Sequence, residues 1–359
     1  MSQSYPIAVI PGDGIGPEVV REGLRVLDRV ASIEGFRIEP TTYPFGAEHY
    51  LKTKEIFPET AFSEVRQKRA ILLGAIGDPR IEVGLLEFGI IAKMRFELDL
   101  YVNLRPVKLY AEHLCPLKGK TPEDVDFIVV RENTEDAYAG MRGFFKKGTP
   151  DEIATQEILF TRKGVERVIR YAFELARKRG DEKKLTLVDK ANAVRAMDLW
   201  TRTFAEVGAE YPDITREHAY IDAACMWCVK NPEWFDTVVT SNMFGDILTD
   251  LAAMIQGGLG IAASGNLHPG KVSLFEPIHG SAPKYTGKNV ANPLATIMAV
   301  SMMLDYLGET RSAARIEEAV AGLLRSKRIA SLGSDSGLST SQVGDLVLEA
   351  LEIGSVSRA

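Results

Sequence analysis

Short apolar runs that stop abruptly at glycine or charge recur along this sequence, and most lead into a helical pattern. Residues 5–10 end in PGDGIGP and are followed by Val20, Leu24, Leu27 and Ala31, which share one face of a 3.6-residue period. Pro17 suits the first turn of that helix. The same grammar returns at 70–73 (then GAIGDP), 125–130 (RENTE), 184–188 (DKAN) and 237–240 (SNMFGD). A second clear helix covers 164–179, where Val165, Val168, Ile169, Ala172, Leu175 and Ala176 form one face and Gly180 ends it. Strands alternating with helices predict an α/β sheet with its ligands at the strand C-termini.

Size and composition narrow the function. A chain of 359 residues can form two domains or one large α/β unit. With a net charge of −6 and no long basic block, nucleic acid is not an expected partner. No apolar stretch approaches the ~18–20 residues needed to span a bilayer. The opening MSQSYPIAVIPGDG lacks the basic start of a signal peptide. Three cysteines make no disulfide framework, so a cytoplasmic enzyme is the expectation.

Some motifs mislead. The glycines of GDGIG at 12–16 are spaced G-x-G-x-G, one short of the dinucleotide fingerprint. GKT at 119–121 would need glycine at 114 to make a phosphate loop, and Leu114 is there. Cys225 and Cys228 form a C-x-x-C, read as helix packing with redox chemistry the lesser alternative. His279, in EPIHGSAP, stands in a glycine- and proline-rich loop where a functional and a structural role are equally open.

Asp246 and Asp250 pose the sharper question. Four residues apart on a helix, they lie on one face and repel. Either they point into water, with Asp246 favoured by the helix N-terminus, or a cation lies over them. Other strand and loop ends supply Arg95, Arg105, Arg131, Tyr138, Lys190, Asn192 and Asp222. Taken jointly, three guanidinium groups suit bidentate carboxylate binding, and three aspartates suit Mg²⁺ or Mn²⁺. Lysine and tyrosine can move protons. The chemistry assembled is metal-assisted work on a small polycarboxylate.

NLRP at 103–106, VREN at 130–133, SNMFGDILTD at 241–250, EPIHGSAP at 276–283 and N-x-A-N-P at 289–293 resemble the β-decarboxylating dehydrogenases. These include 3-isopropylmalate, isocitrate, homoisocitrate and tartrate/D-malate dehydrogenases. The likeness runs from IPGDGIGPEV to about Gly308. It implies a three-layer α/β/α sandwich of the isopropylmalate/isocitrate dehydrogenase type, not a Rossmann fold. Residues 1–100 and 257–359 would form the large cofactor domain, and 101–256 the small, dimer-making one. Arg95, Arg105 and Arg131 would clamp the leaving carboxylate. Asp246 and Asp250, with Asp222 of the partner subunit, would hold Mg²⁺ or Mn²⁺. Lys190, also from the partner, would take the hydroxyl proton, and Tyr138 would return one to carbon; Asn192 joins the substrate set. Ile15, His279, Gly280, Ser281, Ala282, Pro283, Lys284, Tyr285 and Asn292 would line the cofactor. A homodimer with shared active sites follows.

Substrate choice in the family is read ahead of the first arginine. Isocitrate enzymes carry serine and asparagine at positions that here are Gly89 and Ile91. Ile90, Ile91 and Met94 instead suggest an apolar wall, beside Glu87, suited to an isopropyl group. A buried carboxylate there would lack a partner. VRENTE points the other way, to tartrate or D-malate enzymes. Lys284 and Tyr285 resemble the NADP-using pair, while Ser341 and Asp345 lack its supporting residues, so NAD is expected with NADP open. A non-catalytic regulatory subunit is the alternative of a different class, and the retained Lys/Tyr/Asp set argues against it.

Overall fold

The computed structural model describes residues 3–334 and 336–356, with side chains up to residue 352. In chain order the strands are β1 (Ser4–Gly12), β2 (Arg37–Thr42), β3 (Ala70–Ala75), β4 (Val102–Lys108), β5 (Asp126–Glu132), β6 (Arg142–Phe145), β7 (Ile153–Gln156), β8 (Lys184–Asp189), β9 (Thr215–Tyr220), β10 (Thr237–Thr240), β11 (Ala263–Leu267) and β12 (Ser273–Pro277). The helices are α1 (Gly16–Glu34), α2 (Ala47–Thr53), α3 (Glu59–Arg66), α4 (Lys93–Glu97), α5 (Arg162–Arg179), α6 (Asp198–Gly208), α7 (Ile221–Lys230), α8 (Asn242–Ile255), α9 (Leu294–Leu307), α10 (Thr310–Arg325) and α11 (Thr340–Val356).

The chain forms two compact units: residues 1–100, 108–122 and 253–359 make the first, and 101–107 with 123–252 the second. Residues 108–122 therefore group with the first unit, not with the middle of the chain as the sequence reading expected.

In the first unit the strand order is β2-β1-β3-β12-β11, parallel except where β11 meets β12. All of β3 is buried, as expected for a strand covered on both faces. Alternation divides the faces. Ala8, Ile10, Ile71 and Leu73 pack with Phe57, Phe62, Ile90 and Met94 on the side of α2, α3 and α4. Helices α1 and α9 contact β3, and α10 and α11 pack on α1. Helix α9 is buried almost throughout, which explains its lack of a polar face. Helices thus lie on both faces of the sheet, the three-layer arrangement.

The second unit has the order β4-β5-β10-β8-β9, with β5, β10, β8 and β9 parallel. Helix α5 packs on β5 and β10 and against α6. Thr161 caps α5 by accepting from Gly164 N at 3.0 Å, and Gly180, at φ 73°, ends it. The antiparallel β6–β7 hairpin was not legible in the sequence. Among the described residues, no helix is long and apolar enough to cross a membrane.

Candidate functional site

Residues from the neighbouring strands β4 and β5 meet at α8. Arg131, at the end of β5, is 2% exposed. Its Nε and Nη2 donate to Asn242 Oδ1 at 3.0 and 2.7 Å, and its Nη1 pairs with Asp246 Oδ1. Only glycine fits at 245, because a Cβ there would lie 2.5 Å from Arg131 Cγ. On β4, Arg105 donates to Asn103 Oδ1 and Thr249 Oγ1, each at 2.6 Å. Its guanidinium also lies 3.3 Å from Asp246 and 3.8 Å from Asp250. Tyr138 donates its hydroxyl to Asp246 Oδ2 at 3.1 Å.

The like charges on α8 are therefore met first by two buried arginines, partners that helix spacing alone could not identify. The compensation is incomplete. Burial, then repulsion from Asp246, raises the Asp250 carboxyl above its ordinary range despite Arg105 and Arg131. Burial and Asp246 likewise push the Tyr138 phenol up, against Arg131. Two hard oxygen ligands on one helix face fit a divalent cation.

A second cluster lies at the ends of β8 and β9. Lys190 follows β8, Asp222 sits in the first turn of α7, and Lys190 Nζ lies 2.6 Å from Asp222 Oδ1. That bond from lysine lowers the Asp222 pKa. Asn192 is exposed on the loop after Lys190. Among the described residues, no group of three metal-ligating side chains is assembled. One chain therefore does not bring Asp222 to Asp246 and Asp250.

In the first unit, Glu87–Ala92 is a π-helical turn running into α4. Such wide turns are rare and concentrate at functional sites. It corrects the expected apolar wall: Ile90 and Met94 are fully buried in the core. Ile91 is only partly buried, and Phe88 is 47% exposed. The open side of this turn carries Glu87 and Phe88, with Ile91 partly buried against the same core. Arg95 lies 3.0 Å from Glu276, whose Oε1 also accepts from Asn266 Nδ2 at 2.8 Å.

The loops after β1 and β12 are joined where Ile15 N donates to Ser281 O at 2.9 Å. A side chain at Gly14 would collide with that carbonyl. Ile15 packs with Val19 and Ala291, against Ala282 and Tyr285. Gly280 is exposed beside His279, and Pro283 opens the short turn 283–285. Lys284 Nζ stands 4.6 Å over the Tyr285 ring, and Tyr285 Oη accepts from Ser334 Oγ at 3.1 Å. Asp345 is ion-paired with Arg25 at 2.6 Å, while Ser341 Oγ accepts from Asn289 Nδ2. His279 Nε2 and Asn292 Nδ2 are buried with no hydrogen-bond partner. Burial also lowers the His279 pKa. Orphaned polar atoms are costly, and two in adjoining loops fit a polar ligand such as a nicotinamide cofactor.

Sequence reasoning missed several contributors. Asp13, 5% exposed, accepts from Ala47 N at 2.6 Å and Gly77 N at 2.9 Å, tying the loop after β1 to its neighbours. Asn242, Thr249, Asn103 and Glu276 hold the arginines. Glu132 and Asp136 accept from backbone amides in the loop after β5, and Glu135 accepts from Thr161 N at the start of α5. The acid-rich run RENTED was their signal, since a loop entering a buried site can place carboxylates on amide donors.

The family model described as "Isocitrate/isopropylmalate dehydrogenase" matches residues 6–347. A Thermobifida fusca protein named 3-isopropylmalate dehydrogenase is 51% identical over 96% of this chain and 97% of its own. One of the same name from Frankia casuarinae is 51% identical over 92% and 95%. The crystal structure of isocitrate dehydrogenase from Methylococcus capsulatus superimposes with a TM-score of 0.87 at 37% identity, covering 97% of this chain and 99% of that one. With the family model matched over residues 6–347 and two relatives 51% identical over more than nine-tenths of this chain, the chain belongs to the isocitrate/isopropylmalate dehydrogenase family.

Proposed function

We propose that the protein oxidises and decarboxylates 3-isopropylmalate with NAD and a divalent cation, Mg²⁺ or Mn²⁺. The observation that carries this reading is the α8 cluster of Arg105, Arg131, Tyr138, Asp246 and Asp250, set in a chain about half identical to two proteins of that name. Arg95, Arg105 and Arg131 are the cations for the substrate's carboxylates. Glu87, Ile91 and Phe88 face the alkyl branch, and Asn192 is a further polar contact. Asp246 and Asp250 of one chain, with Asp222 of the partner subunit, would hold the cation, which would supply Lewis-acid chemistry to the substrate. The loops carrying Ile15, His279–Tyr285 and Asn292 would bind the dinucleotide, which would supply the hydride acceptor.

Within that frame this chain's residues move protons. Lys190 takes the 2-hydroxyl proton as the C2 hydride departs. The bond from C3 to its carboxylate then breaks, CO₂ leaves with the arginines no longer holding it, and Tyr138 delivers a proton to C3. Because Lys190 and Asp222 lie apart from α8 in one chain, the working unit is a cytoplasmic homodimer in which each site draws on both subunits. The first unit is the cofactor domain and the second makes the dimer. Product analysis tests the reading: NADH and CO₂ should appear in equal amounts from 3-isopropylmalate, and neither from Asp246→Asn. NADH without CO₂ would overturn it.

A further inference from the structure

Asp136 is a non-glycine residue in the left-handed region, at φ 73°, and is 1% exposed. Aspartate tolerates that conformation better than most residues, but glycine would occupy it without strain. A strained residue persists when its side chain does something glycine cannot. Here the carboxylate holds two backbone amides: Oδ1 accepts from Ala137 N at 2.7 Å and Oδ2 from Met243 N at 3.0 Å. Met243 lies in the first turn of α8, where amide groups have no partner within the helix. The helix does not meet that need itself. Ser241, just before it, has a buried hydroxyl without a partner, and the first turn carries no acidic residue. Asp136 therefore caps α8 from a distant loop, with its charge at the favourable end of the helix dipole.

The capping residue also begins the short turn 136–139 that carries Tyr138. Two further bonds tie this turn and the residue before it to the helix: Asn242 Nδ2 to Glu135 O at 3.2 Å, and Tyr138 Oη to Asp246 Oδ2 at 3.1 Å. We infer that Asp136 is a positioning residue, which fixes the Tyr138 hydroxyl against the helix bearing Asp246 and Asp250. The inference rests on the proposed role of Tyr138 as proton donor to carbon, and its test separates the two.

Three variants decide it. Asp136→Gly keeps the backbone conformation and removes the carboxylate, Asp136→Asn keeps one acceptor oxygen, and Tyr138→Phe removes the phenol alone. In Asp136→Gly, kcat should fall by about tenfold or more while KM for the hydroxy acid moves by less than about threefold, since a misplaced donor slows chemistry more than binding. Asp136→Asn should recover most of that loss. Amide hydrogen exchange over 242–246 should speed up by about tenfold in Asp136→Gly and stay at the wild-type rate in Tyr138→Phe. Should the glycine variant not fold, a partial rise in exchange in Asp136→Asn supports the tie and an unchanged rate refutes it. Unchanged kcat in folded Asp136→Gly, or unchanged exchange there, would overturn the inference. If the wild-type protein turned over no hydroxy acid, the functional reading would fall while the exchange result still decided whether Asp136 ties the turn to α8.

Discussion

Gly245→Ala is the substitution whose effect the structure specifies most closely. The new methyl would stand 2.5 Å from Arg131 Cγ, 2.7 Å from its Cβ and 3.0 Å from its Cδ. Carbon atoms in contact prefer about 3.5–4.0 Å, so roughly 1 Å must be found. The Arg131 stem cannot easily retreat. Its strand β5 pairs with β10 at Thr240, and its guanidinium is held by Asn242 and Asp246. Overpacking of this kind costs about 1–3 kcal/mol. Replacing glycine by alanine inside a helix returns about 1 kcal/mol. The net loss of stability is therefore about 0–2 kcal/mol, a shift of a few degrees in melting temperature. Activity should respond far more, because displacing a substrate-orienting group by about 1 Å costs roughly a hundredfold. Thermal denaturation and steady-state kinetics on the same preparation would measure both. A variant that kept kcat/KM within about threefold of wild type would refute the placement of Arg131 at the substrate.

Two neighbouring isoleucines differ in burial: Ile90→Ala should lose about 2–5 kcal/mol of stability without changing substrate preference. Ile91→Ala should instead lower the preference for 3-isopropylmalate over D-malate by about tenfold, measured as a ratio of kcat/KM. For subunit sharing, inactive Lys190→Ala and inactive Asp246→Asn, unfolded and refolded together, should regain about a quarter of wild-type activity as mixed dimers form one intact site; no recovery would place each site in a single chain. Burial raises Glu132 from 4.5 to about 7, and its carboxylate receives amides and the Thr134 hydroxyl. The folded protein thus holds a proton that the unfolded chain releases between those values. The stability from this group is full below 4.5, and about 3 kcal/mol is lost as pH rises to 7. Denaturant melts across that window should show the slope in wild type and not in Glu132→Gln.

Much of this architecture is visible in the sequence because strand ends carry the chemistry. Arg131, Lys190 and the residues opening α8 all follow short apolar runs, so a one-dimensional pattern places them at one edge of a sheet. Other features depend on local geometry that no period reports. Ile90 lies in the core with Phe57 and Phe62, whereas Ile91 packs against the same cluster and stays only partly buried, a difference that residue type does not report. The β6–β7 hairpin escapes notice because its residues are exposed and alternate weakly. Asp136 looks like a solvated loop acid until its φ and its amide partner on α8 are seen together. The repulsion between Asp246 and Asp250 is equally local, since its answer lies on β4 and β5.

The central claim is a metal-dependent oxidative decarboxylation with an apolar-branched substrate. Its most direct test is kcat/KM for 3-isopropylmalate against D-malate and tartrate, with NAD and Mg²⁺, before and after chelation. The account predicts a preference for 3-isopropylmalate above about tenfold, or ~1.4 kcal/mol in the transition state, and loss of turnover on chelation that Mg²⁺ restores. Faster turnover of D-malate or tartrate, or activity that survives chelation, would contradict it.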